Sequence, residues 1–388
     1  MRNKIFIILV FIFLINLFFR IYSYRNEYMS RFNSVYWEKR YELSQWSPKE
    51  ACRNLDPHVN PKTCQWDDAW YNANKNADES ILKKTSLGDD GLYTYVGWKY
   101  IHGNDPTLLN AEIPPLGKYL IGLSIIVFSN QNVFALLSGI FVLIAYYFLN
   151  KIIFKDKLLA FIPLFIFSFD PLFYTQIRAP FLDLLHLGFL LLTLIFFLKK
   201  RFLIAAIFLG CMISTKATAS TFIIVVFTML AYLLYVRDLR QVKNFLLSLP
   251  ISLGVFLLTY AVYFFKGHSL IEFFGVQKWI LNFYAGGAKG DPTSAFQILL
   301  IGNWPTWWGE IQRVQEWSIL WSISLIACLY YFYKMVLRYK KHDTIIFAFW
   351  IIIYLLFLAF IPVWPRYLLL ILPFMYTLSV WVFSRKIH

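Results

Sequence analysis

Charged residues are scarce in this chain. Asp, Glu, Lys and Arg make up 15% of its 388 residues, whereas a soluble domain carries about 25%. Hydrophobic residues make up 59%, and the mean hydropathy is +0.55. Apolar runs of roughly 17–25 residues, the length of a membrane-spanning helix, recur along the chain. This composition excludes an ordinary soluble domain and predicts an all-α polytopic membrane protein embedded in a lipid bilayer.

Acidic residues are fewer than basic ones, 22 against 37, which gives a net charge of +15. Such an excess is found in nucleic-acid-binding proteins, but those concentrate it on one face or in a recognition motif. Here the basic residues fall in short clusters between apolar runs, the pattern that marks cytoplasmic loops. The sequence therefore predicts no nucleic-acid partner.

Cysteine is also scarce, with four residues. Cys52 and Cys64 lie in the hydrophilic interval after the first apolar run, and Cys211 and Cys328 lie in apolar runs. No second Cys or His pair accompanies the first two, so their spacing fits no zinc pattern, and no metal is expected. The pair Cys52–Cys64 forms a disulfide if its interval faces an oxidising space, and otherwise consists of two unpaired thiols.

The chain lacks a cleavage signal after its first apolar run, Ile5–Phe19. Arg2 and Lys4 precede this run, and no small-residue site follows it. We therefore expect an uncleaved signal anchor with its N-terminus in the cytoplasm.

The order of apolar runs and basic clusters predicts about ten spans in a single transmembrane domain, 1–388, with both ends inside. The predicted spans are 5–19, 132–150, 158–169, 180–198, 202–213, 219–236, 245–265, 317–335, 344–361 and 366–383. Large outer loops are expected at about 23–130 and 266–316, and every basic cluster then lies on the cytoplasmic side. The count of ten spans requires Leu116–Ser129 to lie at the outer interface. An extra span there would invert the inside–outside orientation of every later span and loop.

A polar, aromatic segment between Asp89 and Lys118 interrupts the apolar chain. It begins with the acidic pair Asp89-Asp90 and ends in a Pro-Pro-Leu-Gly-Lys corner. Adjacent carboxylates and a lysine beside a bilayer favour a general base and a phosphate-binding cation. The structural alternatives are an Asp-Asp-Gly loop turn and an interfacial lysine that reaches to the headgroups.

Four more ionisable residues lie at the ends of apolar runs or within them: Arg178, Asp183, His186 and Lys216. Ionisable groups inside a membrane are costly and mark functional sites by default. The alternative for Asp183 and His186 is a buried pair, three residues apart on one helix, that holds the bundle together. Lys216 has the same two interpretations.

The ordered motifs resemble one known family. KYIxG (Lys99–Gly103) and NAEIPPLGKYLIGLS (Asn110–Ser124) follow the acidic pair, then FDPLFYTQIRAPFLD (Phe169–Asp183) and GCMISTKAT (Gly210–Thr218). This order is similar to that of the protein O-mannosyltransferases and their prokaryotic relatives, over roughly residues 85–220. GNWPTWWGE (Gly302–Glu310) resembles the Trp-rich outer loop of that family only loosely.

The chain departs from the family pattern at several places. Asp90 stands where the family has Glu, and Ile113 stands where it has His before Pro-Pro, although Glu112 precedes it. A short insertion follows Gly103, and the soluble domain of the eukaryotic enzymes is absent. These departures concern the sugar and the acceptor more than the reaction type.

The resemblance implies a GT-C-type, metal-independent, inverting glycosyltransferase that needs no cofactor. It would move mannose or another hexose from a polyprenyl-phosphate donor to a hydroxyl of a protein Ser/Thr or a glycan, at the outer face of a prokaryotic plasma membrane. The catalytic carboxylates would be Asp89, as the base, and Asp90. The cations for the donor phosphate would be Lys118, Arg178 and Lys216, with Glu112, Asp183 and His186 in support.

Two other functions stay open. The nearer one is a lipid-A-type aminosugar transferase or another glycolipid transferase. The more remote one is a polyprenyl-lipid transporter or flippase, which predicts interrupted helices in repeated halves, whereas this chain has no internal repeat. Trp304, Trp307 and Trp308 either stack on sugars or belong to an interfacial aromatic belt.

Overall fold

The structure is a computed structural model that describes residues 2–42, 44, 46, 59–60, 65–66, 87–285, 287, 289–337 and 342–385. Cys52 and Cys64 lie outside the described residues, so their disulfide stays a prediction. Two short antiparallel strands are described in this interval: β1 (Val59–Asn60) lies between the two cysteines in the sequence, and β2 (Gln65–Trp66) directly follows Cys64.

Helices form most of the described chain. In order they are α1 (Arg2–Ser23), α2 (Arg25–Met29), α3 (Ser34–Glu42), α4 (Asp89–Ile101), α5 (Leu116–Phe128), α6 (Asn132–Ile153), α7 (Lys157–Ser168), α8 (Pro171–Arg178), α9 (Asp183–Leu198), α10 (Phe202–Ile213), α11 (Thr218–Tyr235), α12 (Leu239–Leu258), α13 (Ala261–Phe265), α14 (Leu270–Ala285), α15 (Ser294–Ile301), α16 (Ile319–Leu337), α17 (Ile345–Leu358) and α18 (Leu372–Arg385). A 3₁₀ helix, Pro365–Leu370, precedes α18. The predicted all-α polytopic membrane fold is confirmed.

The predicted spans coincide with helices because apolar length and helix ends are local properties of the sequence. The run 202–213 is α10 without change, and the basic and acidic residues between runs end one helix or begin the next. Asp156, between two lysines, accepts a hydrogen bond from Leu159 N at 3.0 Å and so caps α7.

Length and composition alone identify four of the described helices as able to cross a membrane: α1, α6, α11 and α12. The pair α7–α8 is a fifth if its two bent parts are one span. Six shorter apolar helices, α5, α9, α10, α16, α17 and α18, complete the bundle. The total of ten spans and the interfacial position of α5 therefore stay predictions, as does the single domain over 1–388.

The break between α7 and α8 turns the chain by 65° at Asp170. The side chain of Asp170 is buried and caps α8 by accepting from Leu172 N at 2.8 Å. Its other oxygen accepts from Trp321 Nε1 at 2.7 Å and from the Tyr376 hydroxyl. A buried carboxylate needs such partners, so Asp170 ties the bend to α16 and α18.

Close helix packing positions the polar segment. A Cβ atom on Gly97 would lie 2.6 Å from Lys118 O, and one on Gly122 would lie 2.3 Å from Gly97 O. Only glycine permits that approach between α4 and α5. The acidic start of α4 and the Pro-Pro corner are therefore held by backbone contact as well as by side chains.

The predicted outer loop 266–316 is largely structured. It contains α14, α15 and a hairpin of β3 (Asn303–Pro305) and β4 (Ile311–Arg313). Phe273 is the buried anchor of α14, with its ring 4.9 Å from that of Tyr260. The loop therefore folds back over the end of the bundle where the polar residues lie.

Candidate active site

Four charged side chains from four distant segments meet at one end of the bundle. Lys216 Nζ lies 2.6 Å from Asp183 Oδ1, and Arg366 Nε lies 3.9 Å from Asp183 Oδ2. The Arg366 guanidinium also donates a hydrogen bond to Asp89. We call Asp89, Asp183, Lys216 and Arg366 the charge cluster.

Each member of the charge cluster lies at the end of an element. Asp89 and Asp183 occupy the first turns of α4 and α9, where the helix dipole favours a carboxylate. Lys216 lies in the turn between α10 and α11, which is completed by Ala217 at a φ of 49°. Arg366 is the second residue of the 3₁₀ helix, directly after Pro365.

Burial makes these contacts strong. The side chains of Asp183, Lys216, Arg366 and Asp89 are exposed by 4%, 12%, 17% and 27%. Burial lowers the pKa of the Lys216 ammonium, and the adjacent Asp183 carboxylate opposes that effect. Burial would also lower the pKa of Arg366, but Asp183 and Asp89 outweigh it and raise that pKa. The cluster holds two acidic and two basic side chains, so its formal charges cancel.

Aromatic rings surround the two cations. Lys216 Nζ lies 5.0 Å from the centroid of the Tyr367 ring, and Arg366 Cζ lies 5.4 Å from that of Phe181. The centroid of the Trp364 ring lies 5.5 Å from Arg366 Cζ. Cations over ring faces gain electrostatic attraction, and the rings also exclude water from the cluster.

Lys118 lies outside the charge cluster. It is fully buried, and its ammonium donates to Ile113 O at 2.7 Å, Asn110 O at 2.8 Å and the Tyr100 hydroxyl at 3.2 Å. These contacts fix the turn before Pro114-Pro115. A role for Lys118 at the donor phosphate stays a prediction, and its present contacts are those of a residue that shapes the loop.

Arg178 and Asp90 lie outside the charge cluster, around a separate cavity. Arg178 is 58% exposed and pairs with Glu27 at 2.9 Å. Arg178, Glu27 and Asp90 all line this cavity, whose volume is about 470 Å³. The structure thus separates the two predicted catalytic carboxylates, Asp89 in the charge cluster and Asp90 in this cavity.

The predicted supporting residues have different neighbours. His186 is buried; its Nδ1 lies 3.2 Å from Met212 O and its Nε2 lies 3.4 Å from Thr221 Oγ1. Asp183 makes its side-chain contacts with Lys216 and Arg366 rather than in the helix pair with His186. Glu112 accepts from Asn110 Nδ2 at 2.7 Å. No group of three or more potential metal ligands occurs in the part of the chain that is described.

The tryptophans of the outer loop form one cluster with Trp364. The ring centroid of Trp307 lies 4.7 Å from that of Trp308 and 4.8 Å from that of Trp364. Trp304 is buried and donates to Val363 O at 2.6 Å, whereas Trp308 is 47% exposed. This cluster connects the hairpin to the 3₁₀ helix that carries Arg366.

Sequence reasoning missed Arg366 and Glu27. Arg366 is an arginine directly after Trp364-Pro365 at the start of the last apolar run, which is the kind of ionisable residue that marks a site. In the sequence analysis Arg366 is only the first residue of the predicted span 366–383. Glu27 follows the first span with no motif around it, so its ion pair with Arg178 had no signal in the sequence.

Solved structures of one protein are similar to this chain. They are ArnT from Cupriavidus metallidurans in the apo state and ArnT bound to undecaprenyl phosphate, with TM-scores of 0.59 and sequence identities of 16% and 15%. Each covers 77% of this chain, which spans 55% and 56% of the ArnT chains. ArnT is a GT-C glycosyltransferase. No protein-family model and no curated protein matches the chain.

These likenesses agree with the broader part of the sequence interpretation. They show a GT-C-type helical fold, whereas nothing in them supports the O-mannosyltransferase family in particular. The chain is an integral membrane protein with a GT-C-type helical fold.

Proposed function

We propose that this protein is a glycosyltransferase that uses a polyprenyl-phosphate sugar. The observation that carries the proposal is the charge cluster, which joins a carboxylate at a helix start to two buried cations within a GT-C-type fold. The structural neighbour ArnT has been solved with undecaprenyl phosphate bound. A polyprenyl phosphate is therefore the donor carrier that we expect for this chain.

Charge balance explains how the cluster would act. In the free protein both cations are paired with carboxylates, so an arriving donor phosphate competes with Asp89 for Arg366. The phosphate oxygens would accept from Arg366 and Lys216 in charge-assisted hydrogen bonds, which are roughly twice as strong as neutral ones. Asp89 would then be released as a base, while Asp183 keeps Lys216 in position.

The transfer step balances without a further reagent. Asp89 takes the proton of the acceptor hydroxyl as that oxygen bonds to C1 of the sugar. The bond from C1 to the phosphate oxygen breaks with its electron pair, and the polyprenyl phosphate leaves with its new charge held by Lys216 and Arg366. Attack opposite the leaving group inverts the configuration at C1.

The neighbours also bear on the choice of sugar and acceptor. Their likeness favours an aminosugar or glycolipid transferase of the lipid-A type over mannose transfer to protein. The resemblance in motif order is the support for mannose or another hexose. A bacterial plasma membrane is the location that both alternatives imply.

Purified enzyme tests the proposal with a panel of undecaprenyl-phosphate sugars that carry aminoarabinose, mannose, glucose or N-acetylglucosamine. Lipid A and a Ser/Thr-rich peptide serve as acceptors, and mass spectrometry identifies the product. Asp89→Asn should lower turnover by about 10²–10⁴-fold, the usual contribution of a general base, and should not weaken donor binding, because it removes the carboxylate that competes with the phosphate for Arg366. Glu316→Gln removes a carboxylate outside the charge cluster and should leave turnover unchanged.

Two results would contradict the proposal. One is the absence of transfer from every donor in the panel to either acceptor. The other is full turnover in Asp89→Asn, which would remove the base and the mechanism with it. Transfer of aminoarabinose to lipid A, rather than of mannose to the peptide, would decide between the two sugar classes.

A further inference from the structure

The cavity lined by Asp90 and Arg178 lies beside the charge cluster, and no step of the proposed transfer reaction uses it. Its volume is about 470 Å³, within the range of roughly 300–1,000 Å³ typical of small-molecule sites. We infer that this cavity binds the saccharide part of the acceptor. The inference rests on the proposed function, because it assigns the acceptor subsite of that same reaction.

The cavity has a mainly apolar lining into which several polar side chains project, a mixture that suits a sugar ring and its hydroxyls. Its lining residues are Tyr24, Glu27, Trp37, Asp90, Thr94, Gln131, Asn132, Thr175, Arg178, Ala179, Pro180 and Phe181. They offer carboxylates, amides, hydroxyls and a guanidinium beside three aromatic rings. Sugar hydroxyls act as donors and acceptors at once, and the carbon faces of a sugar ring suit aromatic surfaces.

One buried group in the wall lacks a partner. Gln131 is only 8% exposed, and its Oε1 accepts no hydrogen bond from the described part of the chain. Buried amide oxygens are normally paired, so an orphan in a cavity wall indicates a missing ligand or water. The oxygen is itself closed off from solvent, so the ligand hydroxyl reaches it by a rotation of the side-chain amide.

The wall around Gln131 is fixed before any ligand binds. Asn130 Nδ2 and Asn132 Nδ2 both donate to the backbone oxygen of Glu27, at 2.8 and 2.9 Å. The Tyr28 hydroxyl donates to Ile177 O at 2.8 Å. These contacts hold α2 against the start of α6 and the end of α8. A preformed cavity loses little entropy when it binds a ligand.

The charges of the cavity disfavour an anionic group beside Asp90. Glu27 and Asp90 carry two negative charges, and Arg178, which pairs with Glu27, carries one positive charge. A phosphate there would meet the Asp90 carboxylate, which has no ion-pair partner among the described residues, whereas a neutral or ammonium-bearing sugar would hydrogen-bond to it. The phosphate of the donor therefore belongs to the charge cluster and the acceptor sugar to this cavity.

A peptide acceptor fits the cavity less well. Extended peptides are commonly bound along a strand edge whose backbone groups are open. The polar lining here comes largely from helices α2, α4, α6 and α8, whose backbone groups bond within each helix. The cavity thus recognises a compact ligand through side chains.

The position of the cavity suits transfer. Asp90 lines it and directly follows Asp89 in the first turn of α4. Phe181 lines it too, and the same ring lies 5.4 Å from Arg366 Cζ. The cavity therefore adjoins the charge cluster through Phe181 and the start of α4, on the side opposite Asp89.

Saturation-transfer NMR tests the inference with the full-length protein in detergent and without donor. The probes are methyl glucoside, methyl galactoside, methyl mannoside and methyl glucosaminide, with a Ser/Thr-rich peptide for comparison. Gln131→Leu should weaken binding of the preferred glycoside about tenfold, and Asp90→Asn should do so as well. Gln176→Leu is the matched control, because Gln176 is another buried glutamine with an unpaired Oε1 but does not line the cavity.

The outcomes separate this inference from the proposed function. Equal glycoside binding in wild type and Gln131→Leu, or an equal loss in Gln176→Leu, would overturn the subsite even if sugar transfer occurs. Binding that depends on Gln131 in a protein without transferase activity would support the subsite and contradict the transferase. Binding of the peptide alone, sensitive to Gln131, would overturn the saccharide assignment.

Discussion

The ion pair between Arg366 and Asp89 offers a quantitative test of the charge cluster. Arg366→Gln removes the cation that contacts Asp89 and approaches Asp183, and leaves Asp89 with no partner in the cluster. Breaking a buried ion pair on one side costs about 3–5 kcal/mol. Because Asp89 keeps 27% exposure, we expect the low end, about 3 kcal/mol of unfolding free energy.

A double-mutant cycle isolates the pair. Asp89→Asn, Arg366→Gln and the double variant are compared by unfolding in detergent, followed by tryptophan fluorescence. Residues in direct contact show coupling energies of about 0.5–3 kcal/mol, so the double variant should be more stable than the sum of the two losses predicts. It should nevertheless stay inactive, because both the base and a phosphate-binding cation are gone.

The matched control is Arg178→Gln. Arg178 carries the same charge and also pairs with a carboxylate, Glu27, but it is 58% exposed. Exposed pairs contribute at most about 1 kcal/mol, so this variant should unfold nearly like the wild type. A coupling of Arg366 to Asp89 no larger than that of Arg178 to Glu27 would refute the buried cluster and the site built on it.

Two further predictions concern the polar segment and the interval before it. Lys118→Met should lower unfolding free energy by about 3 kcal/mol or more, since hydrogen bonds to charged groups contribute about 1.5–3 kcal/mol each, and should speed hydrogen exchange in residues 106–115. Unchanged stability with weaker donor binding would instead make Lys118 a phosphate ligand. Cys52 and Cys64 should be found joined by non-reducing peptide mapping of enzyme isolated without reductant, and two free thiols would contradict an oxidising location for that interval.

Most of the bundle follows from the sequence because it depends on local properties. A run of apolar residues bounded by charged residues specifies a span, and α6, α9 and α10 begin and end within a few residues of the predicted limits. The acidic pair Asp89-Asp90 was also identified, although as part of an outer loop rather than as the start of a helix. The residues that contact Asp89 in space could not be identified, because they come from other spans.

The position of Arg366 illustrates what the sequence alone cannot give. It is separated from Asp89 by 277 residues, and no periodicity or motif spacing connects the two. Only the packing of the 3₁₀ helix against the starts of α4 and α9 brings them together. Arg178 shows the same limit, because nothing in the sequence connects it to Glu27, with which the structure pairs it at the cavity. Its role at the donor phosphate stays a prediction.

Lys118 and Lys216 show what distinguishes a structural lysine from a ligand-binding one in such a chain. Both are largely or fully buried, and both belong to motifs that resemble the same family. The sequence does not show which of the two lysines binds the phosphate. Lys118 has backbone carbonyls and a tyrosine hydroxyl around its ammonium, so its three donors are already engaged. Lys216 donates to a single carboxylate, Asp183, among the described residues and otherwise faces an aromatic ring. An incoming phosphate would have to replace the contacts through which Lys118 holds its loop, whereas it would add to the contacts of Lys216. We therefore propose that the donor phosphate binds Lys216 and Arg366.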